Sequence, residues 1–342
     1  MNKWNFAWDC GEGEVHSLGG MMAPVKFNIS GNRTIQPFSI APWSSDSSEE
    51  FHKLPPILKN LRGEWPCVPF GVSEGPKELP LRWQSTITDD ESCETSEDGF
   101  SHGPSSNQHW HLVDSDNDSL TIRLNYPESH PIEYLERNIK GVQGQAAVEI
   151  QLKVKSRRRS KLPIGIHPTF RLPKKIQTVE LEFLGEIRAS SFPVQFEQGI
   201  SRFLPDQENM QLQNIDLEGG GKINASLIPL SFSTEELLQI DNHKGFVRLK
   251  NKEENYQIEM SWQPQDFPSC LLWYSNKGRT QYPWNGRFLA IGVEPIASAF
   301  DLGVAQSLNS QQPKAKEGIS CYQEFDSKEI WQTRYTIAVS AL

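Results

Sequence analysis

Apolar and polar residues alternate without a break over Val148-Glu-Ile150-Gln-Leu152-Lys-Val154-Lys155, the pattern of a strand with one buried face. The same period of two runs through 120–126, Val179–Phe183, Tyr256–Trp262 and 335–339. Twenty-three Pro and 24 Gly interrupt these runs at turn-like intervals. Helical periodicity is scarce, and only Ser233-Thr-Glu-Glu236 ahead of Leu237-Leu238 reads as the cap of a short helix. Many short strands separated by turn signals predict an all-β fold, a large antiparallel β-sandwich or barrel with few short helices. No internal repeat or linker is evident. The polar stretches 44–50 and 89–99 and the basic cluster 156–161 read as surface loops, and Gly219-Gly-Gly221 as a flexible turn. Residues 1–342 are therefore expected to form a single domain, long enough to bury a full core without staples.

Composition narrows the classes of partner. With 34 basic against 43 acidic side chains the formal net charge is −9, which argues against nucleic acid or an anionic membrane. No stretch approaches the roughly 18 apolar residues of a spanning helix, and the first residues lack a basic, then apolar, leader. The five cysteines (Cys10, Cys67, Cys93, Cys270, Cys321) are scattered and show no CxxC spacing, so free thiols and a cytoplasmic location are expected. Ten Trp, seven Tyr and 17 Phe are mostly core material, yet flat faces with polar edges also suit stacking on sugar rings.

Three segments place an ionisable side chain beside backbone-shaping residues. They are Gly99-Phe-Ser-His102-Gly103-Pro-Ser-Ser-Asn107-Gln-His109-Trp110, Leu162-Pro-Ile-Gly-Ile-His167-Pro168-Thr-Phe170 and Leu289-Ala-Ile-Gly-Val-Glu294-Pro295. In the last two an apolar run ends at the ionisable residue and proline follows. Proline keeps its predecessor extended and so restricts the direction in which the side chain leaves. Taken singly, each pattern is also an ordinary strand end. His109 and His111 share a face at i, i+2 but lack a third ligand at matching spacing, so no metal is expected. The aromatic- and arginine-rich block from Trp273 through Arg279 and Trp284 to Arg287 reads either as a cleft rim or as a well-packed hairpin.

Taken in order, these segments resemble the aldose 1-epimerase (galactose mutarotase-like) superfamily over about residues 20 to 340, in a layout closest to its hexose-6-phosphate mutarotase branch. Arg62-Gly63-Glu-Trp-Pro66-Cys67-Val-Pro69-Phe70-Gly71 is similar to an Arg-Gly-Gly segment of that branch. His102-Gly103-x-x-x-Asn107-x-x-Trp110 is similar to its His-Gly-Phe-Ala-Arg-Asn-x-x-Trp segment. The resemblance implies a β-sandwich and a cofactor-independent mutarotase that interconverts the anomers of a free hexose or related sugar. Mutarotation moves one proton from the C1 hydroxyl and another onto the ring oxygen, a task for a matched acid and base without metal or redox cofactor. By the same resemblance Glu294 is the base and His167 the acid. His102 and Asp241 would hold sugar hydroxyls, with Arg62, Asn107 and Trp273 as further substrate contacts. Ser106 stands where the phosphosugar branch has arginine, which favours a neutral sugar. Glu64 is expected to pair with Arg62.

The expected partner is a small sugar, and the protein a monomer or weak homodimer. The two central residues are expected on opposite sides of a ring-sized space. A non-catalytic carbohydrate-binding or regulatory protein on the same scaffold is the competing class. A glycoside hydrolase using Glu294 with Asp241 is the third, since paired carboxylates serve that chemistry too.

Overall fold

The computed structural model describes residues 2–84 and 99–342. Cys93 and most of the acidic run 89–99 lie outside them. The alternating segments all form strands, and they gather in one nine-stranded antiparallel sheet. Its order is Leu227–Ile228, Val179–Phe183, Phe246–Asn251, Tyr256–Trp262, Ile330–Ala341, Ala147–Ser156, Ile132–Gly141, Ser119–Asn125 and His111–Ser115. The residues of one phase, such as Ile150, Leu152, Ile258, Met260 and Ile337, are buried, while their neighbours in sequence are half-exposed or exposed. Each such side chain contributes roughly 1.5–3 kcal/mol on burial, so a one-residue register slip would be very costly.

A seven-stranded antiparallel sheet packs on that buried face. Its path runs through Arg188–Ser191, Thr234–Asp241, Ser269–Asn276, Leu289–Ala297, Ile164–Ile166 and Pro66–Cys67, with Thr169–Arg171 also paired to Leu289–Ala297. Leu238, Ile240, Leu272, Ile291 and Val293 join the core shared with the large sheet. Leu237, Leu271, Trp273, Ala290 and Ile296 face the other way, into a second cluster with Trp43, Trp65, Trp284 and Phe300. This sheet is therefore buried on both faces, and every residue of Thr234–Asp241 and Ser269–Asn276 is buried. A four-stranded sheet of residues 3–35 and two short two-stranded ribbons complete the described strands, one ribbon turning at Gly219-Gly-Gly221.

Burial explains two departures from the sequence reading. The stretch Thr234–Asp241 is a central strand and not a capped helix, because tertiary partners satisfy its acidic residues. Glu235 accepts from Trp273 Nε1 at 3.2 Å and Ser275 Oγ at 2.9 Å, and Glu236 accepts from the Phe203 amide at 3.2 Å. Glu64 does not pair with Arg62. It is fully buried and bonds to Arg137, with the Tyr335 hydroxyl donating to its second oxygen at 2.5 Å. Arg62 instead turns toward His16 Nε2 at 3.0 Å and the Asn60 carbonyl at 3.2 Å.

Removing one member of a buried pair strands the other charge in a dry core. Glu64→Ala should therefore cost about 3–5 kcal/mol in urea unfolding. Glu64→Ala combined with Arg137→Met should cost distinctly less than that single change. Equal losses for single and double variants would show that the pair carries no such strain.

Candidate functional site

The seven-stranded sheet sets the site by its register. Gly165 lies opposite Ile296 and Thr169 opposite Gly292, so the intervening His167 falls beside Glu294 on the same neighbouring strand. A separation of 127 positions in sequence is thereby closed to 3.3 Å between His167 Nε2 and Glu294 Oε1. The expectation that they face each other across a ring-sized space is corrected: they touch on one wall. A chemical reason favours contact, because the two oxygens that exchange protons in ring opening are bonded to the same carbon.

Neighbouring residues shape that wall. Trp65 stacks on the His167 ring at 4.2 Å between centroids, and the Thr169 hydroxyl lies 3.2 Å from His167 Nδ1. A Cβ on Gly292 would come within 2.2 Å of Glu294 Oε1, so a larger residue there would push the carboxyl from this position. A cavity of about 400 Å³ opens over these groups, within the usual range of small-molecule sites. His102, Trp273, Arg279, Trp284 and Asp301 also line it.

His102 is held by a rigid turn. It adopts φ 59°, and Gly103 follows at φ 68°, where a Cβ would lie 2.3 Å from the Val68 carbonyl oxygen. The Asn107 amide fixes this turn by donating to the Ser101 and Gly103 carbonyls at 2.8 and 2.9 Å, while its oxygen accepts from the Ile57 amide at 3.2 Å. Asn107 borders the cavity, but its polar atoms are spent on the loop. The Gly71 amide donates to His102 Nδ1 at 3.4 Å, leaving Nε2 directed at Asp301 Oδ1, 3.7 Å away.

Burial dominates the electrostatics. It pushes Glu294 well above the usual carboxylate range, with the Asp301 charge adding to the effect. His167 is pushed well below 6.5 by burial and then by His102, so burial favours the proton on Glu294 over the proton on His167. His102 is lowered to about 4 by burial alone. Asp301 rises to about 7 through burial, partly opposed by Arg279 and by a bond from the Val72 amide. Glu294 Oε1 and Asp301 Oδ1 are both buried without a hydrogen-bond partner.

The remaining expected contacts divide. Trp273 offers its ring to the cavity and donates Nε1 to Glu235. Arg62 does not line the cavity, because its neighbour Leu61 does and alternation turns Arg62 to the opposite side. Asp241 is also away from it. Its carboxylate accepts from Lys314 Nζ and Ser269 Oγ, each at 2.6 Å, and Lys314 is itself 1 % exposed. That placement separates Asp241 from Glu294 and removes the geometric basis for a two-carboxylate hydrolase built on them. Ser106 is fully buried, donating to the His102 carbonyl at 2.8 Å and accepting from Trp65 Nε1 at 3.1 Å, so an arginine there would enter a dry space and not the cavity. The block from Trp273 onward supplies rim residues: Arg279 lies over Trp284 at 4.7 Å and bonds to Glu197 at 2.7 Å. His109 bonds to Ser17 and His111 is exposed, and among the described residues no group of three metal-ligating side chains occurs. Asp301 escaped sequence reading, since Phe300-Asp301-Leu302 carries no motif.

Comparison with known proteins agrees with the architecture. No protein-family model and no curated protein matches the sequence. Among solved structures, an Escherichia coli K12 protein provisionally named an aldose 1-epimerase is similar at TM-score 0.65 and 14 % identity, over 100 % of this chain and 99 % of its own. A galactose mutarotase related enzyme from Lactobacillus acidophilus is similar at TM-score 0.56 and 15 % identity, covering 99 % and 97 %. A galactose mutarotase-like protein from Lactobacillus casei is similar at TM-score 0.56 and 12 % identity, covering 99 % and 100 %. These likenesses show the fold, a galactose mutarotase-like β-sandwich. Among the described residues no helix is long and apolar enough to cross a membrane.

The raised Asp301 gives a stability test. Its unfolded value is near 3.8 and its folded value about 7, so the folded state holds this proton more tightly. The resulting stability is full below about pH 4 and is lost as pH rises toward 7. Asp301→Asn should flatten that decline in urea midpoints measured across the window. A difference between the two proteins that is constant with pH would contradict the burial argument.

Proposed function

We propose that the protein is a sugar mutarotase of the aldose 1-epimerase type, acting on an uncharged hexose or a close relative. The observation that carries this reading is the His167–Glu294 contact at 3.3 Å, with Glu294 Oε1 unpartnered and both residues lining the cavity. A neutral substrate is favoured because the cationic lining group, Arg279, is already engaged by Glu197. The cavity's aromatic faces suit the C–H side of a sugar ring.

The pair acts as a unit holding one transferable proton. In the form with the proton on His167, Glu294 takes the proton of the C1 hydroxyl while His167 protonates the ring oxygen. The C1–ring oxygen bond breaks and C1 becomes an aldehyde. The proton then resides on Glu294 and His167 is neutral, the form that burial favours in the empty site. After rotation about C1–C2 the steps reverse on the other face, and the pair returns to its starting state. The same proton count serves opening and closure, so nothing need enter or leave through solvent.

Exchange NMR on freshly dissolved α-sugars tests the reading. Glu294→Gln should keep sugar binding and lose anomer exchange by about 10²–10⁴, the usual cost of removing one acid or base. His167→Asn should behave alike. Full exchange in Glu294→Gln would overturn the mechanism, and binding without acceleration in the wild type would leave a carbohydrate-binding protein. The acid limb of the rate should also fall below pH 6.5, because burial keeps both cavity histidines neutral there. A limb at 6.5 would mean that an ordinary exposed imidazole governs the rate.

A further inference from the structure

The sugar-holding carboxylate expected at Asp241 is spoken for, yet a second carboxylate stands in the cavity. Both Asp241 oxygens are occupied, one by Lys314 and the other by Ser269, and the residue lies off the cavity lining. Asp301, by contrast, is 9 % exposed and lines the cavity, and its Oδ1 has no partner. His102 supplies the complement. Its Nδ1 accepts the Gly71 amide, so the neutral ring carries its proton on Nε2 and directs it at Asp301 Oδ1.

The 3.7 Å between those atoms is too long for a direct bond. A hydroxyl oxygen lying beside the line between them can come within about 2.8 Å of each. Such a hydroxyl would accept from Nε2–H and donate to Oδ1, satisfying both groups at once. An anionic substituent would be refused by the carboxylate. We propose that Asp301 and His102 together bind one hydroxyl of an uncharged, ring-shaped polyol, in the place expected for Asp241. This deepens the mutarotase reading, on which it rests for the identity of the ligand class. The His102 ring lies 5.4 Å from the His167 ring, so the bound hydroxyl would belong to the same molecule whose C1 meets Glu294.

The test separates binding from turnover with 1,5-anhydro-D-glucitol and 1,5-anhydro-D-galactitol, which lack the anomeric hydroxyl and cannot mutarotate. Titrations of the full chain by calorimetry should show at least one of them bound by the wild type and by Glu294→Gln. Above about pH 8, where Asp301 is ionised, Asp301→Ala should weaken that binding about ten- to a hundredfold, as expected for a hydrogen bond to a charged group. Asp301→Asn, nearly isosteric, covers the case in which the alanine variant does not fold, and should weaken it in the same direction. In the unmodified protein, ¹⁵N spectra should show His102 protonated on Nε2 and its signal moving on saturation. Unchanged affinity in both Asp301 variants, a His102 signal indifferent to bound polyol, or no binding of either polyol by the wild type would overturn the proposal. Asp301-dependent binding without catalysed anomer exchange would sustain it and remove the mutarotase reading. Exchange that proceeds equally well without Asp301 would do the reverse.

Discussion

The strand Leu289–Ala297 lies inside a sheet that is buried on both faces, and the site follows from that constraint. A carboxyl on such a strand cannot reach bulk water, so it must be neutral, paired or turned to a cavity. Glu64, buried outside that sheet, takes the second course with Arg137 and Tyr335. Glu294 takes the third. Its neighbours along the same face are Gly292, which leaves space for it, and Ile296, which belongs to the aromatic cluster. The high proton affinity of Glu294 is thus a result of strand position and needs no special local device.

The same constraint separates the four titratable groups of the cavity into two acid–imidazole pairs with different geometry. His167 and Glu294 touch, while His102 and Asp301 leave a gap. The first arrangement suits transfer of a proton along a short path. The second suits a ligand atom placed between donor and acceptor. Asp301 also raises the proton affinity of Glu294 through space, so occupation of the gap and the state of the reacting pair are electrostatically linked. Arg279 tempers this by lowering Asp301, and its own position is fixed by Glu197 and by the Trp284 face.

Much of this was legible in the sequence where local pattern and tertiary environment agree. The large sheet shows one face to the core, so Ala147–Ser156 and Tyr256–Trp262 alternate and declare themselves. His167 and Glu294 could be singled out because an apolar run, the residue and a proline recur in both segments. Thr234–Asp241 misleads for the opposite reason. Buried on both faces, it has no alternation, and its glutamates look like a helix cap until Trp273, Ser275 and the Phe203 amide are brought to them. Arg62, Asn107 and Asp241 were implied by the family resemblance, but which face a side chain takes depends on neighbours remote in sequence. Asp301 is the complementary case, a cavity-lining residue in a segment without any signal.

Lys314 shows how a distant helix can redefine a site it never touches. It sits in the short helix Pro313–Lys316, and its Nζ is buried between Ser190, on the edge strand of the seven-stranded sheet, and Asp241, on the strand next to it. Taking an ammonium out of water costs several kcal/mol unless an anion answers it, so this lysine needs Asp241 as firmly as Asp241 needs it. With Lys314 on one oxygen and Ser269 on the other, the carboxylate is held in the framework and away from the cavity lining. A fold that retains an acidic residue at this position therefore need not retain it for sugar. Asp241 belongs to the framework, and the carboxyl groups that line the cavity are those of Glu294 and Asp301, each beside a histidine.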